Sequence, residues 1–300
     1  MKAFALGGGG GKIGFSAGAT YRMIEKGIFP DHISGISSGA LVGIMLATAR
    51  YDRMKELITQ EVTNDLVYRG RGFRYYWRLG MHKTGLRSPL LGLHNNQPLS
   101  DLIQDELYGA HTICDYYTGV VDITRDKFHH VHIPKGSVLA DSQWEFWQKA
   151  ILASTSIPFF FQPVEFGDML LVDGGVHHHT PFFPLKNAIR DLLVDQIYAV
   201  SMLEPYQEQQ RKITDDIVMA ERVVNGLVRR SAEQEIFTFE LINHIANQFG
   251  DFDCQGRTYR KRDSVVVRPG KKLNSSRDFN YKNMRSDWQH GVEVVDGLNM

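Results

Sequence analysis

Three hundred residues with 43% hydrophobic content can bury a large core, and α/β chains of this length commonly fold as one domain. Basic and acidic residues balance at 34 each, so no global field draws the chain to nucleic acid or to anionic lipid. No apolar run reaches the roughly eighteen residues of a membrane-spanning helix, and two distant cysteines, Cys114 and Cys254, do not make a disulfide scaffold.

Lys2-Ala3-Phe4-Ala5-Leu6 reads as a buried strand that runs directly into Gly7-Gly8-Gly9-Gly10-Gly11-Lys12. The strand starts so early that no leader peptide is expected, and cytoplasmic residence is the default. A helix from about 13 to 26, stopped at Gly27, places the glycine amides at a helix N-terminus, where aligned dipoles favour negative charge. Three users of such a cradle compete. A Walker loop requires Gly where Leu6 stands and Ser or Thr where Ile13 stands. A dinucleotide fingerprint fits Gly9 to Gly14, but the acidic residue it needs about twenty residues on is replaced by Ser34. An oxyanion hole remains, with the amides of Gly9, Gly10 and Gly11 as donors and Lys12 adding positive charge nearby.

A second strand, near 31 to 36, leads into Gly35-Ile36-Ser37-Ser38-Gly39 and a Gly/Ala-rich helix from about 38 to 49. That is the order a nucleophile elbow requires, since a serine hydroxyl reacts only when it stands clear of the backbone near a base and oxyanion donors. After a helix near 53 to 64, the stretch from Leu66 to Ser100 contains no Asp or Glu, and it interleaves arginines with aromatic residues. It is expected to form either a plain surface excursion or a basic, aromatic cap whose Arg71, Arg74, Trp77 and Arg78 make peripheral contact with a membrane. Arginines among aromatics also suit single-stranded nucleic acid, but the neutral total argues against that partner.

Further strands are expected near 118 to 124, 128 to 133, 169 to 172, 196 to 203 and 263 to 268, with helices near 142 to 153 and 212 to 248. Alternation of this kind predicts a mostly parallel sheet with helices on both faces. The strand near 169 ends in Asp173-Gly174-Gly175, an aspartate that two glycines leave sterically open. In the long helix, Ile217, Val218, Val223, Val224 and Leu227 are expected to pack on the core, with a dimer contact as the alternative. His129, His130 and His132, and His177, His178 and His179, do not suggest a metal site, because neighbours on an extended segment point to opposite faces.

With the glycine loop, the Gly35-x-Ser37-x-Gly39 elbow and Asp173-Gly174-Gly175 in this order, the chain resembles the patatin-like phospholipase family. Ala153-Ser154-Thr155-Ser156-Ile157-Pro158 looks like that family's A-S-x-x-I-P segment, and Val172 to Pro181 resembles its V-D-G-G stretch ending in Pro. Weaker likeness extends to Asp122-Ile123-Thr124 and to a final helix around Trp288 to Glu293. The resemblance implies a three-layer α/β/α fold over the whole of 1–300, and a catalytic dyad of Ser37 as nucleophile and Asp173 as general base. It also implies a phospholipid or lysophospholipid substrate and no cofactor. Ile13 departs from the family's usual glycine, and the three histidines after Gly175 depart from its usual small or amide residues. Two alternatives stand beside hydrolysis: acyl transfer from the same acyl-enzyme, and lipid binding without turnover.

Overall fold

The computed structural model describes residues 1–70, 92, 94–182, 194–205, 216–254 and 257–298. Its main sheet contains β1 (Lys2–Leu6), β2 (His32–Gly35), β3 (Asp115–Asp122), β4 (Lys127–Ile133), β5 (Val164–Phe166), β6 (Met169–Asp173), β7 (Gln196–Val200) and β8 (Asp263–Val267). The order across the sheet is β8-β7-β1-β2-β3-β6-β5, with β4 hairpinned onto β3. The joins from β8 to β3 are all parallel, whereas β4, β6 and β5 pair antiparallel. This is the mostly parallel α/β sheet that the alternation predicts.

Strand periodicity explains why the sheet is covered on both faces. Along β1, Phe4 and Leu6 enter the larger core together with Phe15, Met23 and Ile33. Ala3 and Ala5 point the other way, into a smaller cluster with Ile197 and Ala199 that Phe239 of the long helix partly covers. Alanine on that face brings the covering layer close to the strand.

Besides a short helical turn at Asn64–Val67, the helices are α1 (Ile13–Glu25), α2 (Ser38–Ala47), α3 (Tyr51–Glu56), α4 (Gln97–Leu107), α5 (Asp141–Ser154), α6 (Asp216–Phe249) and α7 (Tyr281–Asp296). Gly14 and Gly18 of α1 and Gly291 of α7 lie against each other's backbones so closely that any side chain there would collide with a carbonyl oxygen. The C-terminal helix is thereby seated on the helix that starts at the glycine loop.

All seven predicted strands are present, with ends shifted by no more than three residues; β5, at three residues, is too short to leave a pattern. The helix expected over 53 to 64 ends as α3 at Glu56 and continues as a π-helical turn over Leu57–Glu61. There the Thr59 hydroxyl donates to the Lys55 carbonyl at 2.7 Å, a local bond that competes with the regular ladder. The long helix buries Ala232 and Ile236, whereas Val223 and Leu227, expected in the core, are exposed. Of the expected cap, the ends belong to the body: Val67 and Leu99 are buried, and Tyr68 packs edge-on against Phe160 and Phe161. Arg71, Arg74, Trp77 and Arg78 lie outside the described residues.

Candidate active site

Strand pairing brings the elbow and the aspartate together. β4 occupies one edge of β3 along its length, so β2 and β6 must share the other. β2 runs parallel to β3 and ends with Gly35 opposite Thr118. β6 arrives from the opposite end, antiparallel, and stops with Asp173 opposite Val120. The two strand ends meet across Gly119, and Ser37 and Asp173 stand on either side of the junction.

Ser37 has φ 56° and ψ −129°, a backbone region that non-glycine residues avoid at a cost of about 1–3 kcal/mol. It is followed at once by α2, whose N-terminus therefore points at the hydroxyl. Gly35 and Gly39 allow the turn: a Cβ on either would strike backbone, that of Gly39 for the first and of Leu6 and Gly7 for the second. Two serines of the Ala153 to Pro158 segment hold the pair in place. The Ser154 hydroxyl oxygen accepts from the Ser37 amide at 3.2 Å, and the Ser156 carbonyl accepts from the Asp173 amide at 3.0 Å. Thr118 donates to Ser154 at 3.0 Å and ties this brace to β3.

Asp173 is 4% exposed, and its Oδ1 accepts from the Gly175 amide at 2.7 Å. Burial pushes its carboxyl up to about 7, against the Ser37 hydroxyl and the Gly175 amide, which both pull it down. A carboxylate in this condition is a competent base near neutral pH.

The glycine loop lies over the same junction. A Cβ on Gly8 would stand 2.8 Å from Ser37 Cβ, so the loop passes directly above Ser37. Its amides are not equivalent. Gly11 already donates to the Ser276 carbonyl at 2.7 Å and Gly7 to Val200 at 2.9 Å, whereas Gly9 and Gly10 donate to no acceptor among the described residues. Lys12 is held by Glu204 at 2.7 Å, which offsets the positive charge expected from it. The first amide of α2, that of Ser38, is likewise unengaged among the described residues, a donor that the glycine pattern did not suggest.

His179, six residues after the aspartate, folds back over the site. The ring is buried, and its Nδ1 has no hydrogen-bond partner. Hypothetical Cβ atoms place it against both halves of the site: one on Gly8 would lie 2.9 Å from its Cε1, and one on Gly175 3.3 Å from its Nδ1 and 3.0 Å from Asp173 Oδ1. Burial drives the imidazole down to about 4 in spite of the Gly8 backbone, and Lys12 pushes in the same direction. Glu235 of α6 makes the fold-back possible. It accepts from the amides of His179 and Thr180 at 2.9 and 2.6 Å and meets His178 Nδ1 at 2.7 Å. Nothing local in the sequence links Glu235 to Asp173, 62 positions earlier in a chain that the long helix must first cross back over.

A narrow apolar cleft of about 70 Å³ opens beside Ser37, walled by Leu41, Ile58, Val62, Phe161 and Met284. A second, of about 90 Å³, shares Ile13, Leu41, Ile58, Val62, Leu99 and Leu102 with the first and reaches Glu106. Glu106 is clamped there by Arg53 at 2.7 Å. Among the described residues no group of three His, Cys, Asp or Glu side chains could hold a metal ion, and no helix is long and apolar enough to cross a membrane. Cys114 is buried, its thiol pushed up to about 12, and takes no part in the site.

A family model described as patatin-like phospholipase matches residues 4–186, an interval that contains the glycine loop, the elbow and the aspartate. The chain belongs to the patatin-like phospholipase family. Among solved structures, VipD from Legionella pneumophila is similar at 14% identity with a TM-score of 0.47. That alignment covers 98% of this chain and 66% of VipD's, so the chain spans just under two thirds of the VipD chain's length. No curated protein matches the chain.

Proposed function

We propose that this patatin-like protein is a lipid acyl hydrolase that cleaves carboxylic esters of phospholipids or lysophospholipids through an acyl-enzyme on Ser37. Asp173 takes the hydroxyl proton as Ser37 attacks the acyl carbonyl, and that proton leaves with the departing alcohol. Water then attacks the acyl-enzyme, with Asp173 again as base, and releases the fatty acid. Gly9 and Gly10, together with the Ser38 amide, hold the oxyanion. Gly11 is left out because its amide already serves Ser276. No cofactor enters this scheme.

The observation that carries the proposal is the meeting of β2 and β6 on one edge of β3, which sets a strained serine beside a buried carboxyl. The apolar clefts running from Ser37 toward Glu106 supply the place for an acyl chain. Labelling with a fluorophosphonate probe, with fatty acid release from mixed phospholipids followed in parallel, tests the scheme. Ser37→Ala should abolish both signals, and Asp173→Asn should reduce both to background. Unlabelled wild-type protein that releases no acid from vesicles would overturn the hydrolase in favour of lipid binding, and transfer to an added alcohol in place of acid would turn it into an acyltransferase.

A further inference from the structure

On the far side of the wall that borders the Ser37 cleft lies a larger, open one of about 890 Å³. Four cations line it: Lys55 from α3, Lys271 from the loop after β8, and Lys282 and Arg285 from α7. Several basic side chains elsewhere are neutralised by neighbours, as Lys12 is by Glu204, Arg53 by Glu106 and Arg22 by Asp296. Lys271, Lys282 and Arg285 meet no carboxylate among the described residues, and Lys55 rests over the ring of Tyr21 at 4.8 Å. In a chain of zero net charge this is a local excess that the overall composition does not explain.

A second observation points the same way. His290 also lines the cleft, is 8% exposed and lies beside the Phe15 ring, and neither of its ring nitrogens has a hydrogen-bond partner. Glu293, the one carboxylate at the rim, stands 3.7 Å from Nδ1, beyond hydrogen-bond reach. A buried polar group left unsatisfied is costly, and a turn of the covered ring toward the cleft would bring one of its nitrogens to a ligand there.

We propose that this cleft is a phosphate-binding site, in which Arg285, Lys282, Lys271 and Lys55 converge on a phosphomonoester and His290 donates to it from the inner wall. A guanidinium fork flanked by ammonium groups matches a tetrahedral, multiply charged oxyanion. Trp288 in the same wall is buried and offers no face for a stacked base, so the cleft is not built for a nucleic acid strand. The phosphate can belong to a lipid headgroup or to a soluble ligand. Either source would act on the same wall: Thr59 and Arg285 face this cleft, whereas their neighbours Ile58 and Met284 face the Ser37 cleft. A ligand bridging Lys55 to Arg285 therefore fixes the π-helical turn and the start of α7 relative to one another. The proposal does not depend on the catalytic scheme.

The test is binding to phosphatidic acid vesicles by co-sedimentation, with phosphatidylcholine vesicles as control, and binding to inorganic pyrophosphate by calorimetry. The wild-type protein should bind phosphatidic acid over phosphatidylcholine if the source is a lipid, or pyrophosphate without vesicles if it is soluble. In either case Lys282→Gln with Arg285→Gln should weaken binding at least about tenfold at an unchanged unfolding temperature, and His290→Gln several-fold. Lys55→Gln with Lys271→Gln, on different elements, repeats the test should the α7 variant fold poorly. Wild-type protein that binds neither probe, or charge variants that bind as well as wild type, would overturn the proposal.

Discussion

Gly8 passes so close to Ser37 that a Cβ built on it would lie 2.8 Å from the serine Cβ and 2.9 Å from Cε1 of His179. A methyl group there has nowhere to go without moving the loop, Ser37 or the imidazole. Gly8→Ala should therefore lower turnover by about a hundredfold, the scale of an ångström's misplacement at a reacting centre. Near-UV circular dichroism should stay native. Wild-type rates in this variant would show that the loop does not approach the serine as described.

The Asp173 carboxyl titrates at about 7, so the base form is lost on the acid side. The rate at low substrate should rise with pH through about 7 and then level off. Stability moves the other way. The unfolded chain releases this proton near pH 4 and the folded one retains it until about 7, so burial of the charge destabilises the fold increasingly across that interval and by a constant amount above it. Asp173→Asn should be inactive yet more stable than wild type above pH 7, by an amount of the order of a few kcal/mol. Melting temperatures of both proteins from pH 4 to 8 check the sign; equal curves would mean that the carboxyl is not buried as a charge.

His179 makes the opposite contribution. Its imidazole is neutral when folded and held down to about 4, whereas the unfolded chain takes up the proton near pH 6.5. The stability this confers is complete above about pH 6.5 and is lost as pH falls toward 4. His179→Asn should flatten that acid decline, while His179→Ala should cost roughly 1–3 kcal/mol at neutral pH through the space left against Gly8 and Gly175. Chemical denaturation at several pH values separates the two effects, and an unaltered acid limb in His179→Asn would sink the assignment.

Leu102 lines both apolar clefts and is partly buried between them. Leu102→Trp should narrow the passage toward Glu106 and shift preference toward shorter acyl chains by about tenfold in relative kcat/KM. A series of esters of increasing chain length measures this. An unshifted profile would place the acyl chain elsewhere.

The strand ends, the elbow and Asp173 were legible because each is written in a short local pattern: alternating burial, paired glycines, an acid before Gly-Gly. The antiparallel arrival of β6 was not, because pairing direction depends on which edge of β3 remains free. The donors of the glycine loop were only partly legible, since Gly11 is engaged by Ser276 from a loop more than 250 residues away. His179 stands out in the sequence only as one of three consecutive histidines, and its fold-back depends on Glu235, which sits on a helix with no sequence proximity to the site. Ser154 and Ser156 were visible only as a family-like segment. Their work, gripping the amides of Ser37 and Asp173, belongs to backbone geometry that composition does not encode.

The shared edge of β3 has a consequence for how the site tolerates change. Because Ser37 and Asp173 are delivered by strands growing toward each other, their separation is measured out in ladder hydrogen bonds and not in side-chain reach. A slip of β6 by a single residue would turn Asp173 to the opposite face of the sheet and end the partnership outright. The gap therefore has two settings, aligned or absent, and substitutions along β6 that leave its register intact should leave the chemistry intact as well.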